Sequence, residues 1–197
     1  MEATTTDLDL RWHDQLFSVR RSIRYHQRRR AFFDRLDKTS NMLSLIFGSA
    51  AIFGVLQEKY KLVAIVASGV VTVVSSINLV VGSAQRGRDH TDFMRKYVEL
   101  EKLMLAKATE EDLLRIKAAR LSIEAEEPPV MRVLDMICHR ELMRATAYPQ
   151  EELPKIGWFQ SLVAQVFDFR ESSIYLPEPK PEPEPKPECK CQAAETP

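Results

Sequence analysis

The sequence predicts an all-α membrane protein: a two-helix transmembrane hairpin, a cytoplasmic helical bundle and a disordered proline-rich C-terminal tail. The hairpin is predicted from two apolar blocks without a charged residue, 39–56 and 62–85, and from the short segment that separates them. The bundle is predicted from apolar residues that recur at helical spacing outside these blocks. With 197 residues, the chain suits one modest domain with tails. Its 28 basic and 28 acidic residues leave no net charge, which removes any argument for nucleic-acid binding from whole-chain charge.

Residues 8–38 are expected to form a cytoplasmic amphipathic basic helix. Apolar residues repeat there at spacings of four, three and four, which gives one apolar face: Trp12, Leu16, Val19 and Ile23. Three arginines beside Phe32 and Phe33 are candidate contacts for lipid headgroups or for a gate: Arg24, Arg28 and Arg29. The alternative is that the basic cluster only retains this end of the chain on the cytoplasmic side.

The two apolar blocks are expected to be transmembrane helix 1 (39–56) and transmembrane helix 2 (62–85). A hydrocarbon core of about 30 Å needs roughly 20 helical residues, so the second block spans comfortably and the first is slightly short. One alternative is a soluble helical hairpin, which needs a larger soluble core than the rest of the chain supplies. Another is a signal peptide, which conflicts with the basic, folded-looking stretch of about forty residues before the first block.

Charge beside the blocks predicts the orientation of the hairpin. The five residues 57–61 (QEKYK) force an antiparallel turn, which is expected to be extracytoplasmic. Eight Arg or Lys and two Asp lie within 20–38, four basic residues and two Asp lie within 86–96, and the turn carries only Lys59 and Lys61. Because Lys and Arg accumulate on the cytoplasmic side, both termini are expected inside, in the bacterial inner membrane with a multi-pass topology.

Polar residues in transmembrane helix 2 form a candidate pore or helix-packing stripe: Ser68, Thr72, Ser75 and Asn78. With Lys59 at the middle of the turn, Asn78 lies level with Asn41, which is the candidate interhelical amide partner. The stripe either packs the two helices closely or lines a wet path when several hairpins assemble. Neither block contains an ionisable residue, which disfavours a proton relay or a carrier with a buried charge.

The cytoplasmic helical region, 86–170, is expected to form the bundle. Three apolar stripes are predicted to face its core: Phe93, Tyr97, Leu100 and Met104; Leu114, Ala118, Leu121 and Ala125; and Met131, Leu134, Cys138, Leu142 and Ala145. Thr109 is the expected N-cap of the helix that carries the second stripe. The aromatic segment 156–170 (IGWFQSLVAQVFDFR) is expected either to dock on the bundle or to lie at the membrane surface.

The rest of the sequence gives little sign of chemistry. The tail, 171–197, contains PEPKPEPEPKPE and is expected to be disordered. Its Cys189 and Cys191 are expected to stay reduced, with a soft metal or a lipid as less favoured alternatives. His26 and His90 are isolated in sequence and are expected near the headgroups. Without a phosphate loop, a nucleophile elbow or paired carboxylates, no catalytic residue, cofactor, metal or nucleic acid is expected, and the chain is not expected to be an enzyme.

The order of these parts resembles the bacterial SLATT family, two-span membrane domains associated with SMODS nucleotidyltransferases and SLOG nucleotide-sensing domains. The resemblance covers roughly 10–147 and rests on short patterns: 21–29 (RSIRYHQRR), 93–97 (FMRKY), 100–103 (LEKL) and 138–142 (CHREL). It implies an effector of a bacterial conflict or anti-phage system. Such a protein assembles as a homo-oligomer in the lipid bilayer and permeabilises it after a nucleotide signal. Because the chain contains no fused sensor or nucleotidyltransferase, a separately encoded protein or a small molecule is expected to supply the trigger.

Two functions follow from these expectations, together with a weaker third. The first is an oligomeric, pore-forming inner-membrane effector whose cytoplasmic helices hold it closed. The second is a non-conducting membrane-anchored scaffold whose cytoplasmic helices bind a protein partner. The third is an antitoxin-like or regulatory subunit.

Overall fold

A computed structural model of the chain describes residues 2–170, 172 and 174. Among these residues every regular element is helical, in the order α1 (Glu2–Leu56), α2 (Lys61–Val81), α3 (Ser83–Leu103), α4 (Glu110–Glu126), α5 (Arg132–Ala145) and α6 (Trp158–Val163). Short 3-10 turns lie at Glu58–Tyr60 and Gln150–Glu152. The all-helical prediction is confirmed for this part of the chain. The predicted amphipathic helix and first apolar block form one continuous helix, α1, of 55 residues.

The apolar end of α1 and the whole of α2 form an antiparallel pair joined by the predicted turn. Gly54 allows the closest approach, because a Cβ atom there would lie 2.9 Å from the backbone nitrogen of Ala64 and 2.9 Å from the carbonyl oxygen of Tyr60. Farther along the pair, the Ser44 and Ser75 hydroxyls lie 3.3 Å apart. These contacts have the register expected for a turn centred near Lys59.

Gly82 separates α2 from α3 and is the one described glycine in the left-handed region, with φ of 62°. Its backbone N–H donates to the carbonyl oxygen of Asn78 at 2.9 Å, which ends α2. Helical structure resumes at Ser83, so α2 and α3 follow each other along α1. By length and composition, one helical run of the described chain, Lys61–Leu103, is apolar enough to cross a membrane.

Large apolar side chains point outward along both halves of the α1–α2 pair. Leu79 is 83 % exposed and Val80 is 84 % exposed. Both lie in the block 62–85, which contains no charged residue. Others with at least half of their surface exposed are Leu45, Ile46, Ile52, Phe53, Val55, Leu62, Ile65, Val66, Val73 and Ile77. Inward-facing positions of α2 are small, with Ala64 and Ala67 buried against α1. This distribution is the reverse of that of a water-soluble helical pair.

The first core of the bundle lies between the N-terminal half of α1, α3 and α4. Its buried members are Trp12, Val19, Ile23, Tyr97, Leu100, Met104, Leu113, Ile116 and Ile123. Leu16 and Phe93 pack against it, so the predicted apolar faces of α1 and α3 are both confirmed. Each face is continuous because residues three and four apart share one side of a helix.

The predicted core face of α4 is wrong. Leu114, Ala118, Leu121 and Ala125 are exposed, whereas Leu113, Ile116 and Ile123 are buried. The two stripes lie on nearly opposite faces of α4, because successive residues of an α-helix are turned by about 100°. Burial of Leu113, Ile116 and Ile123 against α1 and α3 sets the orientation of the helix, and ion pairs at both ends accompany it. Arg11 donates to Glu110 at 2.9 and 2.7 Å, and Lys96 pairs with Glu126. Thr109 is the N-cap as predicted, because its hydroxyl accepts the Asp112 N–H at 3.1 Å.

The second core joins α5 and the aromatic segment to Tyr25 of α1. Its buried members are Tyr25, Val133, Leu134, Ile137, Cys138 and Ala164, which confirms most of the predicted α5 stripe. Asp168 caps α5 by accepting the backbone N–H groups of Arg132 at 2.8 Å and Val133 at 3.0 Å. The aromatic segment thus docks through its backbone, while Trp158 is 80 % exposed and Phe167 67 % exposed. The proline-rich part of the tail, with Cys189 and Cys191, lies outside the described residues.

Candidate functional site

A pair of buried histidines joins α1 to α3 within the helical bundle. The Nδ1 atom of His26 lies 2.9 Å from the Nδ1 atom of His90. His26 is 1 % exposed and His90 is 4 % exposed, so both rings are buried within the protein. A hydrogen bond between two Nδ1 atoms requires that one carries the proton and the other accepts it. The two residues, which are far apart in sequence, therefore form a buried contact between helices; their expected position near headgroups stays a prediction.

Glu127 connects the histidine pair to α4. This residue is the C-cap of α4, and its Oε1 atom lies 3.1 Å from Nε2 of His26. A carboxylate only accepts, so the proton of this contact is carried by Nε2 of His26. The result is a hydrogen-bonded chain from α3 through α1 to the end of α4. We refer to His26, His90 and Glu127 as the histidine cluster.

Aromatic rings enclose the histidine cluster. The His90 ring stacks on Phe33 at 5.6 Å with an interplanar angle of 10°, and His26 stacks on Phe93 at 5.4 Å and on Tyr97 at 5.7 Å. The Tyr97 hydroxyl is buried and has no partner with hydrogen-bond geometry in the described structure. Glu127 and Ser22 nevertheless lie close enough to affect its pKa, which Glu127 raises and Ser22 lowers. The rings exclude water from the cluster.

Burial makes His90 a weak base. Desolvation, followed by the electrostatic effects of His26 and Arg29, lowers the pKa of His90 to about 4, against weaker opposite effects of Asp89 and Glu127. At neutral pH His90 is therefore uncharged. Burial also raises the pKa of the Tyr97 hydroxyl, and the nearby Glu127 carboxylate adds to this shift.

Two clefts flank the histidine cluster. One, of about 780 Å³, opens beside His90 and has a mixed lining of basic, acidic and aromatic side chains: Arg29, Arg86 and Lys96; Asp89, Asp92, Glu126 and Glu127; and Phe33 and Phe93 among the aromatic rings. The other, of about 910 Å³, opens beside His26. Tyr25, Glu127, Pro128 and Pro129 line both, so the α4–α5 connection separates them. A ligand or partner that moves this connection would reach Glu127 first and, through it, the contact between α1 and α3.

No metal centre is indicated in the part of the chain that the structure describes, because no group of three His, Cys, Asp or Glu side chains there is arranged to hold an ion. Cys138 is buried in the second core, and burial raises its thiol pKa to about 12. That thiol is therefore protonated at neutral pH and serves as a small core residue.

The candidate stripe of α2 divides into an outer and an inner half. Ser68 and Thr72 are exposed, and their hydroxyls donate to backbone carbonyl oxygens of their own helix, Ile65 and Ser68 respectively, both at 2.9 Å. Ser75 is exposed as well, but its hydroxyl also lies 3.3 Å from that of Ser44 on α1. The outer half, Ser68 and Thr72, is therefore available to face lipid or another copy of the chain. The inner half, Ser75 and Asn78, contributes polar contacts between α1 and α2.

Asn41 and Asn78 meet at a shared carboxylate, that of Asp37. The Asn41 amide donates to Oδ2 of Asp37 at 3.2 Å, and the Asn78 amide donates to Oδ1 at 3.3 Å. The carbonyl oxygen of the Asn78 side chain is buried without a partner in the described structure. Asp37 thus links the C-terminal end of α2 to α1, so the interhelical partner of Asn78 is the Asp37 carboxylate rather than the predicted Asn41 amide.

The three candidate arginines have different surroundings. Arg28 pairs with Glu141 of α5, with its Nε donating to Oε2 at 3.2 Å. Arg29 donates to the backbone oxygen of Gln165 at 2.6 Å, and its guanidinium lies 4.7 Å from the centre of the Phe33 ring. Arg24 is partly exposed and lines a cleft between α1, α3 and α5. The structure therefore does not gather the three side chains into one group.

Sequence reasoning missed the histidine cluster, although the hairpin register contained a signal for it. A turn centred near Lys59 puts His26 and His90 at almost the same level, just as it does Asn41 and Asn78. The register does not give the rotation of each helix, and nothing in the sequence pairs Glu127 with either ring. No family model matches this chain, and no curated protein or solved structure is significantly similar to it.

Proposed function

We propose that the chain is a two-span bacterial inner-membrane protein with both termini in the cytoplasm, and that it oligomerises to permeabilise the membrane. In this proposal it acts as an effector of the SLATT type in a conflict or anti-phage response, triggered by a nucleotide signal or a partner protein. The observation that carries the proposal is the exposed apolar surface that surrounds α2 and the apolar end of α1. A bilayer is the solvent that such a surface requires.

The energetic argument for the bilayer is simple. Leaving one large aliphatic side chain in water instead of an apolar medium costs about 1.5–3 kcal/mol. More than ten such side chains in the α1–α2 pair have at least half of their surface exposed. Their combined cost exceeds the typical stability of a whole domain, about 5–15 kcal/mol. Lipid around the pair removes that cost.

The continuity of the helices supports a gate. α1 runs without interruption from the bundle to the end of the hairpin, so a shift at its cytoplasmic half displaces its apolar half. Gly82 interrupts the helical run Lys61–Leu103 and is therefore a natural hinge between α2 and α3. The trigger must bind one arrangement of these helices more tightly than the other, and the clefts beside the histidine cluster are suitable sites for it.

The polar lining of the proposed pore comes from several copies of the chain. In one copy the Ser68 and Thr72 side chains are exposed and their hydroxyls are satisfied by the helix itself. Such hydroxyls are tolerated in lipid, and they also provide a hydrated surface when copies assemble around them. Because a single hairpin encloses no channel, conduction requires an oligomer.

The proposal is tested by expressing the chain from a tightly controlled promoter and following membrane potential with a voltage-sensitive dye. We expect rapid depolarisation, absent from a variant that lacks residues 42–84. A matched variant, Ser49→Ala, removes a hydroxyl that bonds within α1 and is expected to depolarise like the parent. A steady potential, with the chain verified in the membrane fraction, would favour the second function.

The second function is a membrane-anchored scaffold, which the exposed stripe on α4 favours. Leu114 is 59 % exposed and Leu121 is 65 % exposed, and with Ala118 and Ala125 they form one apolar face at spacings of four and three. Such a face suits packing against another helix. Here we expect Leu114→Ser together with Leu121→Ser to abolish partner capture while the protein still reaches the membrane. Retained capture by that variant would exclude this face.

A further inference from the structure

We propose that Arg29 of α1 and Arg86 of α3 form a binding site for a phosphate group, with Phe33 as the platform that positions both guanidinium groups. The Cζ atom of Arg29 lies 4.7 Å from the centre of the Phe33 ring, and that of Arg86 lies 5.8 Å from it. Two planar guanidinium groups on one ring present several N–H donors to the same cleft, a geometry that suits phosphate oxygens.

The fold holds this pair of arginines together. Phe33 is 2 % exposed and is fixed by stacking on His90. Gly87, the residue after Arg86, packs against α1, because a Cβ atom there would lie 3.7 Å from the Cβ atom of Phe33 and 3.0 Å from Oδ1 of Asp34. This packing of α3 on α1 brings Arg86 close to the Phe33 ring.

Neither guanidinium has a carboxylate partner among the described residues, although several carboxylates are near. Each of these has another partner or role: Asp34 pairs with Arg30, Asp89 accepts from Gln85 at 2.7 Å, Asp92 pairs with Arg95, Glu126 pairs with Lys96, Glu127 contacts His26, and Asp168 caps α5. Arg29 forms one hydrogen bond in the described structure, to the Gln165 carbonyl oxygen, and its Nε atom is buried there without a partner. Two guanidinium groups without a carboxylate partner of their own therefore face this cleft, with N–H donors that suit an anion.

The charge on Arg29 carries a cost in the absence of that anion. Burial and the nearby positive charge of Arg86 lower the pKa of the Arg29 guanidinium, against weaker opposite effects of Tyr25 and Asp168. The guanidinium nevertheless stays charged at any physiological pH. A bound phosphate would offset the repulsion between the two arginines and satisfy the free donors of Arg29.

The position of the two arginines relative to the charge-free blocks favours a lipid as the source of the phosphate. Phe33 precedes the charge-free block 39–56 by six residues, which is about 9 Å along a helix. Arg86 follows directly after the charge-free block 62–85. Each headgroup layer is about 5–8 Å thick, so Arg86 lies at the level of the lipid phosphates, and the Arg29 guanidinium, which contacts the same Phe33 ring, lies at or just beyond that level. The lipid source rests on the proposed membrane function, whereas phosphate binding in this cleft does not.

The test uses the full chain purified in uncharged detergent micelles that contain phosphatidylcholine. One arm adds inorganic phosphate at constant ionic strength, and the other replaces part of the phosphatidylcholine by phosphatidylglycerol. The readout is the midpoint of thermal unfolding as a function of ligand concentration. The variants are R29Q and R86Q, and the matched control is R88Q, an exposed arginine of the same helix that bonds to Gln85.

We expect the parent and R88Q to gain thermal stability, and R29Q and R86Q to need at least about tenfold more ligand for the same gain. A response to phosphatidylglycerol alone identifies a lipid headgroup as the ligand, and a response to both probes shows that soluble phosphate also enters. No response to either probe, or an equal response of all four proteins, would overturn the proposal. The thermal-unfolding test measures binding, so a negative result there does not contradict a depolarisation result. A steady membrane potential, in turn, does not contradict the phosphate site.

Discussion

The Nδ1 atoms of His26 and His90 lie 2.9 Å apart in the interior of the bundle, where α1 and α3 cross the end of α4. That distance permits one proton between the rings and disfavours two, because two imidazolium groups would place like charges in contact away from water. The bundle is therefore held together at this point by the neutral state of His90. The clefts on either side bring ligands to the same three helices.

The stability of the bundle should fall with acidification. The pKa of an unfolded histidine is about 6.5 and that of native His90 is about 4, so the unfolded chain takes up the proton first. Stability is therefore fully present above pH 6.5 and declines between about pH 6.5 and pH 4. The loss approaches about 3 kcal/mol at the lower end. Denaturant unfolding in detergent at a series of pH values measures it.

His90→Asn provides the control for this pH dependence. Asparagine keeps a hydrogen-bonding group beside His26 but does not titrate. We therefore expect the variant to be less stable than the parent at neutral pH, and its free energy of unfolding to change less between pH 6.5 and pH 4. An identical slope in the variant and the parent would assign the acid sensitivity to other groups.

Gly54→Ala should loosen the hairpin. The new Cβ atom would lie 2.9 Å from two backbone atoms, the nitrogen of Ala64 and the oxygen of Tyr60, neither of which can move independently. Overpacking of this kind costs about 1–3 kcal/mol. Gly48→Ala is the matched control in the same helix, because nothing lies within 4 Å of its new Cβ. A lower unfolding midpoint for the first variant than for the second is expected, and equal midpoints would contradict the close approach.

Leu113 and Leu114 should respond differently to truncation although they are adjacent. Leu113 is fully buried, so Leu113→Ala removes core packing and should cost about 2–5 kcal/mol of unfolding free energy. Leu114 is 59 % exposed, and Leu114→Ala should change stability by less than about 0.5 kcal/mol. Chemical unfolding of both variants measures the difference. The reverse order would show that α4 is rotated towards the stripe predicted from the sequence.

Asn78→Leu should abolish leakage without preventing insertion. The leucine keeps the helix apolar but removes the amide that bonds to Asp37, which is the polar link between α2 and α1 at the end of the proposed lining. Dye release from liposomes that contain the purified chain measures leakage, and flotation with the liposomes measures insertion. Leakage at the parent level by an inserted variant would remove the polar stripe from the proposed pore.

The sequence predicted those parts of the fold in which one helix face is much more apolar than any other. Val19 with Ile23 and Tyr97 with Leu100 lie on such faces, and all four residues are buried. It failed for α4, because the helix carries an apolar stripe on each of two nearly opposite faces, and the packing of the whole bundle decides which of them meets α1 and α3. The spacing of apolar residues along a helix does not indicate which distant residue a charged side chain will contact, as Arg11 contacts Glu110.

The candidate site was less accessible to sequence reasoning than the fold. Bringing His26 to His90 requires the register of the hairpin, the rotation of both helices and the closure of the bundle across 64 positions. The register followed from the short turn. The rotations follow from packing that involves residues of α4 and α5, and Glu127 reaches His26 only because α4 ends where it does.

The claim on which the account most depends is that α1 and α2 span the membrane with their turn outside. Gln57, which is exposed at that turn, offers the most direct measurement. A Gln57→Cys variant in intact spheroplasts is treated with a membrane-impermeant maleimide, and the parent, which contains three native cysteines on the proposed cytoplasmic side, is treated in parallel. We predict that the variant is labelled and the parent is not until the cells are lysed. Labelling of the variant only after lysis, or of the parent in intact spheroplasts, would contradict the account.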